Sequence, residues 1–121
     1  MQWKFKFIEN PLILSIEIDG PAVKYKMTKM SIEAIALARS KNCKRFFIDS
    51  RNLTFKDAQF ESYEFISNLD KIGLKRTDRI AVVTSRNFDA YQFAEMVAKN
   101  RGWSLIKHFK DLPSAETWIR K

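Results

Sequence analysis

Lys44-Arg45-Phe46-Phe47-Ile48-Asp49-Ser50 holds a short continuous apolar run, Phe46-Phe47-Ile48, between charged ends. Such a run is the mark of a strand covered on both faces. Arg79-Ile80-Ala81-Val82-Val83-Thr84 has the same form and predicts a second buried strand. Between them Phe55, Ala58, Ser62, Phe65, Leu69 and Ile72 recur at helical spacing. Thr54 and Asp57 have capping-box spacing before that stripe, and Gly73 stands where a left-handed closing residue belongs. Strand, helix, strand in this order implies a right-handed crossover and a parallel sheet.

The same alternation extends outward in both directions. Val23, Met27, Met30, Ala34 and Leu37 predict a helix running to about Lys41. Ala90, Phe93, Ala94 and Val97 predict another, with Gly102 as its stop. Trp103 to Phe109 reads as a last strand, and Pro113 to Ile119 as a short final helix. The first twenty residues read as a hairpin: Trp3, Phe5 and Phe7 alternate with lysines, and Leu12, Leu14, Ile16 and Ile18 alternate with polar residues. A two-residue loop at Asn10-Pro11 sets Phe7 opposite Leu14, Phe5 opposite Ile16 and Lys4 opposite Glu17. A one-residue slip would mix the faces. The expected fold is therefore α/β, β-β-α-β-α-β-α-β-α, with a mostly parallel five-stranded sheet, an antiparallel N-terminal strand and helices packed against it.

At 121 residues this pattern fills one domain, 1–121. No apolar run is long enough to span a membrane, and the start lacks a signal-peptide block, so a cytoplasmic location is expected. One Cys excludes an internal disulfide, and one Cys with one His cannot form a usual structural zinc site, so no metal is expected. Three Gly and no phosphate-cradling motif speak against a dinucleotide cofactor. Cys43 reads as an inert thiol and His108 as a structural or exposed histidine. An enzymatic reading would need an acid–base pair such as Asp49 with His108, and the chain reads as non-enzymatic.

The net charge of +8 raises the question of nucleic acid. Acidic residues interleave with the basic clusters and the Phe residues sit at core positions, so no dedicated nucleic-acid site is expected. Weak contact with anionic lipid headgroups stays open on the same charge. At the carboxyl ends of the predicted parallel strands, Ser50, Arg51, Thr84, Ser85 and Arg86 could line a site for an anion, small molecule or lipid.

With this order laid out, the chain resembles the STAS domain fold, and within it the SpoIIAA-like family of small bacterial proteins. The resemblance rests on Phe46-Phe47-Ile48-Asp49, on Tyr63-Glu64-Phe65 through Gly73, and on Arg79-Ile80-Ala81-Val82-Val83. Phe93-Ala94-Glu95, Asn100-Arg101-Gly102-Trp103, Phe109-x-Asp111 and Ala115-x-x-Trp118 complete it. It implies a regulatory or ligand-sensing role without catalysis, acting on a protein partner or a second copy. Anti-sigma-factor antagonists of this fold carry a Thr-Phe-x-Asp-Ser-Ser-Gly stretch. Here Thr54, Phe55 and Asp57 match, while Ala58 and Gln59 replace the two serines. The usual phosphorylatable hydroxyl is absent, so that switch cannot operate there. The surface this points to is Thr54, Asp57, Gln59 and Phe60. Phe60 lies off the helical stripe, as an interface anchor does.

Overall fold

The hairpin forms with the expected register. Strand β1 (Gln2–Ile8) runs antiparallel to β2 (Ile13–Pro21), with Phe7 opposite Leu14, Phe5 opposite Ile16 and Lys4 opposite Glu17. The computed structural model describes residues 1–54, 68–84 and 88–121. In it β2 continues into helix α1 (Lys24–Ser40), strand β3 (Arg45–Thr54), strand β4 (Arg79–Val83), helix α2 (Phe88–Asn100), strand β5 (Ile106–Phe109) and helix α3 (Leu112–Arg120). The helix predicted between β3 and β4 falls mostly outside the described residues.

The five strands lie in chain order, β1-β2-β3-β4-β5; β1 is antiparallel at the edge and the other pairings are parallel. Right-handed crossovers that always step the same way place their helices on one face. Accordingly Met30, Ala34 and Ala38 of α1 and Ala98 of α2 pack in one cluster with Leu14, Ile16, Phe46 and Ile80. The Trp3 indole N–H donates to Glu33 of α1 at 3.1 Å, tying the edge strand to that layer.

Helix α3 lies on the other face, where Ala115 and Ile119 pack against Ile13, Phe47, Ala81 and Val83. Its start is capped by Asp111, whose side chain accepts the Ser114 N–H at 2.8 Å, with Pro113 in the first turn. Its end is held by two arginines from the strand starts. Arg45 donates to the Ile119 carbonyl at 2.9 Å and Arg79 to the Trp118 carbonyl at 2.8 Å. The Arg79 guanidinium also lies 4.5 Å from the centroid of the Trp118 ring. Cations on terminal carbonyls complement the helix dipole as well as filling its orphan acceptors.

Three segments that lead into strands close in the same way. Asn42 (φ 55°), Gly73 (φ 98°) and Gly102 (φ 91°) adopt left-handed backbone. In each the next residue's N–H reaches back to a carbonyl five residues earlier: Cys43 to Ala38, Leu74 to Leu69, and Trp103 to Ala98. The residue after the left-handed one is buried every time, so Cys43, Leu74 and Trp103 anchor these loops in the core. Gly102 suits this backbone because it lacks the Cβ that strains a left-handed residue, and a Cβ there would also push the Arg76 side chain aside. The strands are longer or shorter than read from sequence: β3 extends to Thr54, and β5 begins only at Ile106. No helix among the described residues is long and apolar enough to cross a membrane.

Candidate functional site

The two faces of the sheet are covered unequally. Helix α3 packs on β3, β4 and β5 and reaches Ile13 at the start of β2, with Ile8 of β1 beside it; among the described residues nothing covers Lys4, Lys6, Glu17 and Asp19 further along β1 and β2 on that side. The step between α3 and the open strands forms a groove of about 210 Å³. Ile8, Ile13, Phe47 and Ile119 give it apolar walls, and Glu17, Arg51, Glu116 and Arg120 stand at its rim.

Strand alternation builds the open surface beside it. Lys4, Glu17 and Asp49 are successive partners across β1, β2 and β3. Glu17 directly opposite Asp49 would be repulsive alone. Lys4 flanks the pair on one side and Arg51 on the other. The Arg51 guanidinium forks onto Asp49 through Nε at 2.9 Å and Nη2 at 2.8 Å. That bidentate contact holds the Asp49 carboxyl below its ordinary value, against the opposing pull of partial burial. A register shift between Glu17 and Asp19 lies at this point, so β3 carries one extra residue around Ser50-Arg51. The extra residue lets Arg51 lie beside Asp49 while Leu53 returns to the helix-covered core.

Of the residues singled out at the strand ends, Ser50, Arg51 and Thr84 are described. The Ser50 hydroxyl is buried and donates to the Val83 carbonyl at 2.8 Å. Arg51 is exposed on the groove side and paired with Asp49. Thr84 is 2% exposed; its N–H donates to the Phe109 carbonyl, and its hydroxyl has no partner among the described residues. Ser85 and Arg86 lie outside the described residues. Thr54 is exposed at the end of β3, and Asp57, Gln59 and Phe60 again lie outside the described residues. Among the described residues, Ser50 is thus bonded to the sheet's own backbone and Arg51 to Asp49.

Asp49 and His108 cannot meet as an acid–base pair. Ile48, Val82 and His108 share a row, so His108 faces the α1–α2 layer while Asp49 faces the groove. His108 instead engages Glu95 of α2. Glu95 Oε1 accepts the His108 backbone N–H at 2.7 Å and lies 3.4 Å from Nδ1. Burial pushes the Glu95 carboxyl up, and these contacts more than offset it, so its pKa ends below the ordinary value. Cys43 is 1% exposed, with its Sγ near the Leu12 and Arg45 carbonyls, a buried thiol in a loop anchor.

The shifts of Asp49 and Glu95 make a pH prediction. Both carboxyls are stronger acids when folded, so the unfolded chain binds more protons in acid. Their contribution is complete above the ordinary values of 3.8 and 4.5 and is lost as pH falls through the lower folded values. Urea unfolding of wild type and of Asp49→Asn with Glu95→Gln is expected to show wild type ahead at neutral pH. The gap should shrink as pH drops below about 4; an unchanged gap would contradict these pairings.

The groove is what sequence reasoning missed. Ser15 and Glu17 of β2 were legible as the wet side of the hairpin. Glu116 and Arg120 join them only because α3 crosses to that side. No protein-family model matches the chain, and no curated protein matches it.

Proposed function

We propose that this chain is a non-enzymatic, regulatory binding domain of STAS-like architecture that acts through protein–protein contact, with a second copy of itself on the open sheet face. The observation that carries this reading is the charge balance of that face within a chain of net charge +8. Lys4, Lys6 and Arg51 stand there against Glu17, Asp19 and Asp49. Two copies can approach on this face without net repulsion, and a two-fold axis needs a patch that is its own complement. Lysines on β1 and acids on β2 supply one. The groove adds apolar surface at the edge of the patch, and its volume suits a protruding side chain better than a metabolite, whose pockets run to roughly 300 Å³ and above. The sequential strand order with a single antiparallel edge strand supports the STAS-like reading.

Sedimentation equilibrium tests the assignment. The wild-type chain is expected to self-associate, and Lys4→Glu with Lys6→Glu to shift it to monomer by at least about tenfold in dissociation constant. The same pair combined with Glu17→Lys and Asp19→Lys should recover much of the loss. A wild type that stays monomeric at the highest soluble concentration would sink the self-association. Loss of association in Phe60→Ala, with the charge variants unchanged, would move the contact to the surface around Thr54, Asp57 and Gln59.

A further inference from the structure

Among the described residues, exposed positive charge gathers at one end of the sheet. The segments that enter β3, β4 and β5 turn at the amino end of the sheet, and each carries exposed cations. Lys41 and Lys44 precede β3, Lys71 and Lys75 precede β4, and Lys99 and Arg101 flank the turn before β5. The hairpin turn at Glu9 and the Asp70 carboxylate are the exposed acids described at this end, and Asp70 is already paired with Arg76 at 2.8 Å. Asp78 is buried and bonded to Arg39.

Contacts between the loops make this end one continuous patch. Arg39 of α1 joins Asp78 before β4, and Arg76 donates to the Arg101 carbonyl while lying 4.4 Å from the Trp103 ring centroid. Helix dipoles account for part of this charge, since α1, α2 and α3 all end here. Three helix ends contribute about 1.5 negative elementary charges in total. That leaves most of the lysines unexplained.

From this sorting we infer that the amino end of the sheet is a docking surface for an anionic membrane, separate from the open face and not dependent on its role. The shape favours a flat partner over a nucleic acid. Lys41 and Lys99 stand at the helix ends while Lys44 and Lys75 stand in the loops entering the sheet, so the cations occupy both the helix layer and the sheet edge, where a duplex would want a single stripe. The aromatic rings at this end are not stacking platforms. Trp103 is 3% exposed beneath Arg76, and the Phe7 ring lies 4.7 Å from the Lys41 ammonium. No large apolar side chain among the described residues of this end is exposed for insertion, so contact is electrostatic and fades with salt.

Vesicle sedimentation tests it. The wild-type chain is expected to bind phosphatidylcholine vesicles containing phosphatidylglycerol, not phosphatidylcholine alone, and to release as salt rises. Lys44→Glu with Lys71→Glu and Lys75→Glu should weaken partitioning by at least about a hundredfold. Lys26→Glu with Lys29→Glu and Lys107→Glu makes the same change in net charge away from this end and should cost far less. Circular dichroism checks the fold of both sets. If the glutamate set fails to fold, glutamine at Lys44, Lys71 and Lys75 should still weaken binding by about tenfold. Equal loss in the two sets, no vesicle binding by wild type, or binding to duplex DNA without vesicle binding would each overturn the inference.

Discussion

Ile119→Ala is expected to destabilise the protein by about 3 kcal/mol and to lower Tm by roughly 10 °C. Ile119 is 1% exposed and sits with Ala115 on Ile13, Phe47, Ala81 and Val83. No second helix backs α3 among the described residues, so the cavity cannot be filled from behind. Truncation also loosens the end that Arg45 and Arg79 hold through the Ile119 and Trp118 carbonyls. Trp118 provides the readout: with Phe109 at 5.8 Å between ring centroids and Arg79 on its ring, its fluorescence should change when α3 lifts. Denaturant unfolding followed by fluorescence and by far-ultraviolet circular dichroism measures both effects. A loss below about 1 kcal/mol would mean that α3 contributes little to the core.

The second large effect belongs to Arg39 and Asp78, and it is asymmetric. The Asp78 side chain is 1% exposed and accepts from both Arg39 and the Lys75 N–H, while the Arg39 side chain keeps 28% exposure and a second bond to the Cys43 carbonyl. Arg39→Ala leaves a buried carboxylate without its counter-charge and should cost about 3–5 kcal/mol. In Asp78→Ala the guanidinium can turn toward water, so the main penalty is the unpaired Lys75 N–H, about 2 kcal/mol. The double variant should cost clearly less than the sum of the singles, with a coupling of at least about 1 kcal/mol. Chemical denaturation of the three variants measures the cycle, and strict additivity would contradict a direct pair.

Much of this architecture was legible in the chain. The hairpin register followed from the two-residue loop at Asn10-Pro11 together with alternation, which excludes any one-residue slip because it would mix Trp3, Phe5 and Phe7 with the polar side of β2. Gly73 and Gly102 marked their turns, since few other residues adopt left-handed backbone cheaply. Asn42 closes α1 in the same way and was less conspicuous, having a side chain that tolerates this conformation without requiring it. The candidate site was less legible. Residue type marked Ser50 and Arg51 as strand-end polar groups, yet it could not show that an extra residue in β3 pairs Arg51 with Asp49 or that the Ser50 hydroxyl is taken by the Val83 carbonyl. Alternation predicts which face a residue takes but not whether a helix will cover it. The open half of the sheet depends on where α3 comes to rest, and that is set by long-range contacts from Arg45 and Arg79.

Amide chemical shifts recorded against protein concentration test the central claim most directly. The account predicts concentration-dependent shifts clustered at Lys4, Lys6, Ser15, Glu17, Asp19, Asp49 and Arg51, with the exposed side of α1 around Tyr25 and Ile32 unchanged. Shifts centred on α1, or none across the soluble range, would contradict it.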